Sequence, residues 1–404
     1  MKKIIVIGGG PAGMMAAEAA AEQGADVILI EQNSILGRKL LITGKGRCNV
    51  TNFCDENELI SQVVTNPKFL YSAFSSFNAY DAYAYFEEAG LALKIERGNR
   101  VFPVSDRAAD VRNALQKRLK ERGVAVVQDK ILSISADPLC AKGEKRYYDC
   151  DAMIIATGGV SYPATGSTGD GYKFAKMIGH KVAPATPSLV PLIGEKNLCA
   201  SMAGLSLKNV ELTIKNQKVI YQGFGEMLFT HEGISGPLVL SASSYLKEKD
   251  FPCTALIDLK PALDVQTLDK RICRDFEEHI NRDFSNALDK LLPKKMIPQI
   301  ISMSGIPAGV KVHQITREQR LNLVNIIKAF PIKLFNKSGF HEAIITSGGI
   351  DIREVDPRTM ESKLIKNLYF AGEVLDVDAL TGGYNLQIAY STGRLAGRNA
   401  AKED

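Results

Sequence analysis

An unbroken β-branched run, Ile4 to Ile7, opens the chain and leads straight into Gly8-Gly9-Gly10-Pro11-Ala12-Gly13. Apolar residues without alternation suit a parallel strand covered on both faces. Alanine-rich Met14 to Gln23 predicts a helix that stops at Gly24, and Asp26 to Ile30 a second buried strand closed by Glu31. Val124 to Ile134 reads as strand with a polar break at Gln128 to Lys130. Tyr148 to Thr157 reads as one strand ending in Ala156-Thr157-Gly158-Gly159. Leu189 to Leu259 holds short alternating or β-branched runs, among them Val210 to Ile214 and Ala255 to Leu259, separated by Gly, Asn and Pro. From Leu268 to Ala329 the apolar spacing becomes helical, as in Ile272, Phe276 and Ile280, and Phe340 to Ile350 reverts to a strand pattern. Near the end, Asn367 to Phe370 predicts a short strand running into Ala371-Gly372-Glu373. Thr381-Gly382-Gly383-Tyr384-Asn385-Leu386-Gln387 then leads into an amphipathic helix through Gly397.

This order predicts an α/β protein: a Rossmann-type nucleotide domain left unfinished, interrupted by a β-rich and then a helical stretch, and completed at the C-terminus. A chain of 404 residues with 45% hydrophobic and 24% charged residues can support two or three cores. The net charge of +5 is small against 50 basic and 45 acidic residues. The basic run Arg112 to Arg122 reads as the solvated face of a helix, so charge alone implies no nucleic-acid partner. Seven cysteines, at 48, 54, 140, 150, 199, 253 and 273, form no Cys-x-x-Cys pair, so neither disulfides nor a metal site is expected. Met1-Lys2-Lys3 followed by four apolar residues is too short for a signal peptide, and no run approaches the ~20 apolar residues of a membrane span. The expectation is a cytoplasmic protein without a membrane partner.

Strand, Gly-x-Gly-x-x-Gly, helix, strand and terminal acid stand in register, which is the context a dinucleotide fingerprint requires. Gly8 permits the turn, Gly10 lets backbone approach a pyrophosphate, and Gly13 lets the helix pack on the strand. Pro11 and Ala12 open the helix whose amides face the anion. Glu31, followed by Gln32, would accept from a ribose and repel a 2′-phosphate. The nucleotide-like sequence resumes only in the last fifty or so residues, which favours FAD over NAD as the resident group. Gly372 and Glu373 would meet the ribityl chain, and the amides of Gly383, Tyr384, Asn385 and Leu386 the flavin pyrimidine, where negative charge gathers on reduction. Thr157, Gly158 and Gly159 return the chain across the dinucleotide, and backbone near Ile131 would reach the adenine. Arg38, Lys39, Gly44, Gly46, Arg47, Cys48 and Asn49 combine free amides with positive charge, suited to phosphate or reduced flavin. Cys48 has no resolving partner in the sequence and is expected to pack rather than react.

Five blocks carry a family resemblance: Gly8 to Gly13, Gly37-Arg38-Lys39 through Gly44-Lys45-Gly46-Arg47-Cys48-Asn49-Val50-Thr51-Asn52, Ala156 to Gly171, Phe229-Thr230-His231-Glu232-Gly233-Ile234-Ser235-Gly236-Pro237, and Asn367 to Gly397. With these the chain resembles the BaiN/RdsA family of FAD-dependent oxidoreductases, also described as aminoacetone oxidase-like flavoproteins. The second and fourth blocks are the specific ones. The resemblance implies three parts: a discontinuous FAD domain, 1–190 and 354–404; an inserted β-barrel-like substrate domain, 191–262 and 335–353, forming a lid; and a helical subdomain, 263–334.

The activity so implied is NAD(P)H-dependent reduction of an activated C=C bond of a small molecule, such as a 3-oxo-4-ene steroid or bile acid. The absence of a second Gly-x-Gly-x-x-Gly makes NAD(P)H a transient visitor. Ser161 to Gly171 also resembles the Thr-Gly-Asp-Gly segment of flavoproteins that act on C=C bonds. Candidate proton donors are His231, Tyr384 and Tyr162. An amine oxidase producing hydrogen peroxide is the alternative. An RNA-modifying or RNA-binding flavoprotein and a non-catalytic FAD scaffold belong to other classes. No nucleic-acid partner is expected, because the basic residues are dispersed.

Overall fold

A computed structural model describes residues 1–402, and the chain divides into two compact units, 1–188 with 340–404 and 189–339. The first unit is built on a five-stranded parallel sheet in the order Leu368–Phe370, Ala152–Ile155, Lys3–Ile7, Asp26–Glu31, Ala125–Gln128. Ile4, Ile5 and Val6 are fully buried, as a central parallel strand requires. The first helix, Pro11–Glu22, and the C-terminal helix, Tyr384–Ala400, are themselves buried almost all round. Gly393 and Gly397 explain how closely they pack. A methyl group there would stand 2.3 Å from the Ala12 carbonyl oxygen and 2.1 Å from that of Ala16.

The second unit is a closed six-stranded antiparallel barrel, in the order Leu192–Gly194, Gly233–Ser235, Val219–Phe229, Ser206–Lys215, Cys253–Asp258, Phe330–Lys337. Val210, Leu212 and Ile214 alternate inward with Ala255, Ile257, Phe330, Ile332 and Leu334. Helices Val265–Glu277, Ile297–Ser304 and Arg317–Lys328 add Leu268, Ile272, Phe276, Ile300, Leu323, Val324 and Ile327 to the same core. Ile280 falls beyond its helix and is exposed.

Three sequence expectations change. Residues 340–353, assigned to the insertion, lie in the first unit, where Ile345–Ser347 pairs with Thr186–Ser188; only Ile345–Ser347 of the run Phe340 to Ile350 is strand. The barrel strand Phe330–Lys337 begins inside the stretch assigned to the helical part. Tyr148 to Thr157 is two strands broken at Cys150-Asp151: Tyr147–Asp149 joins a separate three-stranded sheet and Ala152–Ile155 the parallel one. The last two residues of the expected 354–404 segment lie outside the described residues.

His180 is buried beside the sheet's edge strand, its ring edge-on to Phe370 at 4.9 Å. The Ser362 hydroxyl oxygen accepts from the amides of Leu364 and Ile365 at 3.0 and 2.9 Å, so its proton is free to donate to His180 Nε2 at 2.8 Å. The neutral Nδ1–H tautomer then faces Glu354, 3.2 Å away. Burial holds this imidazole below its ordinary 6.5, outweighing the attraction of Glu354. The unfolded chain therefore binds the proton first, and stability contributed by neutral His180 is present above 6.5 and lost as pH falls below it. Thermal unfolding should show a Tm that drops between pH 7 and 5, and His180→Gln should flatten that drop.

Candidate flavin site

The central strand Lys3–Ile7 delivers the glycine loop to the carboxyl edge of the sheet. Gly8 has φ +108°, and a side chain there would meet the Ala156 carbonyl oxygen at 2.5 Å. A Cβ on Gly10 would meet nothing within 4 Å. Gly10 is the N-cap of the first helix, Pro11 its first residue, and no side chain caps that end or places an acid in its first turn. The amides of Ala12 and Gly13 are thus left without a capping side chain at the positive end of a helix.

Glu31 ends the neighbouring strand, buried, its Oε2 accepting from Gly9 N at 2.7 Å and its Oε1 from Asn33 N and Nδ2 at 2.8 and 2.7 Å. Oε2 keeps a lone pair for another donor. Gln32 Nε2 donates to the Gly166 carbonyl at 2.8 Å and Asn33 Nδ2 to that of Thr165 at 3.2 Å, so these two side chains tie the 161–169 loop to the strand end. Arg38 is exposed and donates to Asn33 Oδ1 at 3.2 Å. Ile131 is buried at the start of Ile131–Ala136, just beyond the polar break.

A second cluster joins three distant segments. Lys39 Nζ lies 2.7 Å from Glu373 Oε2 and 2.6 Å from Ser161 Oγ. Glu373 Oε1 accepts from Ser161 Oγ at 2.7 Å and from Thr346 N at 2.8 Å. Burial alone would raise the Glu373 pKa, but the Lys39 ammonium and these hydrogen bonds hold it below the usual carboxylate value. Glu373 is therefore an anion at neutral pH, and Thr346 Oγ1 also accepts from the Val160 and Ser161 amides at 2.9 and 3.1 Å. Thr157 Oγ1, at the head of the same loop, is buried with no hydrogen-bond partner. Gly158 and Gly159 follow it, and a Cβ at Gly159 would press on Thr346 Oγ1 at 2.4 Å. Gly372 packs as closely, its position facing the Ala12 methyl.

The segment 43–52 passes beside the start of the C-terminal helix. Thr51 Oγ1 donates to Gln387 Oε1 at 2.7 Å, and Asn52 Nδ2 donates to the carbonyls of Gly98 and Gly382 at 3.0 and 3.2 Å. Gly383, with φ +101°, starts that helix without a side-chain cap, and a Cβ there would stand 2.5 Å from the Thr51 carbonyl carbon. Asn385 is turned back on its own loop, bonding Ala379 N and O at 2.9 and 2.8 Å, and Leu386 is half-buried one residue on. Tyr384 is buried, and burial, helped by Cys54 and Glu58, holds its phenol well above the usual pKa.

Gly44 and Gly46 are exposed, both with positive φ. Arg47 departs from the expected anion-binding role: its guanidinium is committed to Glu96 and Asp106 and lies 4.1 Å from the Phe102 ring centroid. Asn49 is half-buried with Oδ1 enclosed. Cys48 is fully buried and burial pushes its thiol up to about 12, against a lowering contact from Thr43. A thiol so protonated is inert. In the native protein Cys48 should escape alkylation by iodoacetamide at pH 8, and Cys48→Ala should keep its flavin.

The structure gathers four of the five sequence blocks in the first unit. The fourth lies in the second unit, with His231 and Glu232 exposed on the turn between Val219–Phe229 and Gly233–Ser235. Tyr162 sits on the 161–169 loop with φ +49°. Thr346 and Asn33 escaped the sequence reading, since isolated polar residues outside a motif give no signal of their partners, and Ser161 and Gln387 stood inside quoted blocks without a partner assigned. Arg118 and Arg122 also correct it: they approach the buried Glu18 at 3.9 and 3.8 Å instead of lying wholly in solvent. Among the described residues no three His, Cys, Asp or Glu side chains gather to hold a metal, all seven cysteines are free, and no helix is long and apolar enough to cross a membrane.

A parallel sheet with a glycine loop, a strand-end acid and a returning C-terminal helix defines a Rossmann-type FAD-dependent oxidoreductase. The chain belongs to the HI0933-like Rossmann family, whose description matches residues 2–399. It is 32% identical to the 3-dehydro-bile acid delta(4,6)-reductase of Clostridium scindens, over 100% of both chains. It is also 32% identical to the ribosomal RNA dihydrouridine synthase of Escherichia coli, over 96% of this chain and 95% of that one. Among solved structures it is similar to the 3-ketosteroid-Δ4-(5α)-dehydrogenase of Rhodococcus jostii RHA1, with TM-score 0.53 and 14% identity over 100% of this chain and 97% of that one.

Proposed function

We propose that this protein holds FAD across the first unit and uses it to reduce a C=C bond conjugated to a carbonyl, with NAD(P)H as the transient reductant. The observation that carries the reading is a pair of parallel helices. Gly393 faces Ala12 and Gly397 faces Ala16, so the first and C-terminal helices run in the same direction. The second begins eight residues further out than the first, a lead of about 12 Å at 1.5 Å per residue. Two uncapped positive ends staggered along one direction suit a ligand with a pyrophosphate at one point and a pyrimidine beyond a five-carbon chain. The open space at Gly10 and the spare lone pair on Glu31 fit the same ligand.

Gly10, Ala12 and Gly13 would hold the pyrophosphate and Glu31 the adenosine ribose. Lys39 and Glu373 would flank the ribityl chain, with Thr157 to Gly159 crossing it. The amides of Tyr384 to Leu386 would face the pyrimidine, where their partial positive charge favours the reduced form. When bound, FAD supplies N5 as the carrier of a hydride from the nicotinamide to the double bond. The chain's own remaining task is one proton for the carbon next to the carbonyl. Tyr384 keeps its proton across the physiological range and begins the pyrimidine-facing helix, so it is assigned as donor ahead of Tyr162 and His231. Tyr384→Phe should lower turnover about 100-fold while leaving FAD content and the rate of flavin bleaching by nicotinamide unchanged; equal loss in both half-reactions would refute the assignment.

The two sequence relatives are named for delta(4,6)-reduction of a 3-dehydro-bile acid and for dihydrouridine synthesis in ribosomal RNA. The steroid or bile-acid reading fits a small-molecule enzyme in the cytoplasm. One observation favours RNA. Residues 189–339 contain 20 basic and 15 acidic side chains, the whole surplus of +5, while the remainder is balanced at 30 against 30. Offering the reduced protein a 3-oxo-4-ene bile acid and, separately, ribosomal RNA, with mass spectrometry for the gain of two hydrogens, decides between them. Reduction of neither would reject the proposal.

A further inference from the structure

The two helices that present their N-termini to the site touch along small residues. Ala12 and Ala16 on one and Gly393 and Gly397 on the other allow close approach, and a shift of one turn would bring the methyl of Ala389 or Ala401 into a place only glycine fits. A buried charge network adds an attractive lock to this steric one. Arg394 Nη1 donates to Glu18 Oε2 at 3.0 Å and Nη2 to Glu22 Oε2 at 2.9 Å, with the Phe77 ring 5.4 Å from the guanidinium carbon. Glu18 is 1% exposed and Arg394 8%. Any other register would leave the Arg394 guanidinium unpaired in the interior, the costly outcome for a buried ion, and leave Glu18 only the more distant Arg118 and Arg122.

We propose that Arg394 is a positioning residue: paired with Glu18 and Glu22, it sets how far the C-terminal helix leads the first one, and so the spacing of the two helix ends that hold FAD. This rests on the FAD reading above. Gln387 Nε2 and Ser391 Oγ both donate to the Phe77 carbonyl, at 3.1 and 2.6 Å, so the C-terminal helix stays docked without Arg394 while its hold on Glu18 and Glu22 of the first helix is lost.

The test compares two ligands of the deflavinated protein. ADP needs only the first helix and the Glu31 strand end; FAD needs both helices. Arg394→Met should raise the dissociation constant for FAD about tenfold and leave that for ADP within about twofold. It should also lower the fraction of flavin reduced at a fixed solution potential. Glu18→Gln should do the same, and Arg394→Lys, which keeps the charge, should regain most of the FAD affinity; these two variants carry the test if Arg394→Met does not fold. Equal weakening of FAD and ADP would reduce Arg394 to general stability and overturn the proposal, as would no weakening of either. Wild-type protein that binds neither ligand would instead overturn the FAD reading on which it rests.

Discussion

Gly10→Asp should abolish flavin binding and leave the protein slightly more stable. The two effects have opposite signs because they arise at one atom from different partners. Gly10 has φ −76° and ψ −179°, ordinary for an N-cap, and nothing lies within 4 Å of its Cβ position, so the side chain enters without strain. Aspartate is a preferred N-cap, and replacing glycine there should add a few tenths of a kcal/mol to the apoprotein. The same carboxylate would occupy the approach to the Ala12 and Gly13 amides and repel a pyrophosphate. At an effective dielectric of about 20 and a few ångströms, that repulsion is on the order of 3 kcal/mol, roughly two orders of magnitude in affinity. Purified Gly10→Asp should be colourless with a Tm equal to or above that of wild-type apoprotein. A variant that stays yellow would place the dinucleotide elsewhere.

Gly13→Ala should produce the largest loss of stability from a single methyl group in the first unit. Its Cβ would stand 1.8 Å from the Gly8 carbonyl oxygen, which belongs to the turn itself and cannot move without displacing the loop. Overpacking of this kind costs about 3 kcal/mol or more. Denaturant unfolding should show a lower midpoint, and flavin affinity should fall with it. Gly13 is thus needed for the fold and Gly10 for the ligand, although the motif presents them as equivalent glycines.

The sequence made the parallel strands legible because a strand buried on both faces leaves an unbroken apolar run, as Ile4 to Ile7 does. It also exposed the glycines, because the strand, turn and helix that frame them follow one another within a unit of about 30 residues. What it hid was sheet membership. Tyr148 and Ile154 look like one strand, yet they serve different sheets, because the break at Cys150-Asp151 is too short to register as a turn. The domain edge near residue 340 was hidden for a related reason: Ile345–Ser347 is three residues of edge strand, and its antiparallel partner Thr186–Ser188 lies far back in the chain, Thr186 pairing with Ser347 and Ser188 with Ile345. Charged side chains were the least legible. Arg47 and Lys39 sit in one basic block, but Arg47 turns to Glu96 and Asp106 while Lys39 turns to Glu373. Nothing local distinguishes them, since each choice is made by acids supplied from distant loops.

The proposed function requires that this chain carry FAD and pass hydride through it to a conjugated double bond. An anaerobic titration of the purified holoprotein, following the oxidised-flavin band near about 450 nm, tests it most directly. Bleaching by NADH or NADPH is expected, with recovery of the band when a 3-oxo-4-ene bile acid or a uridine-containing ribosomal RNA is added. Bleaching by aminoacetone but by neither nicotinamide, with recovery only on admitting oxygen, would contradict it and establish an amine oxidase instead.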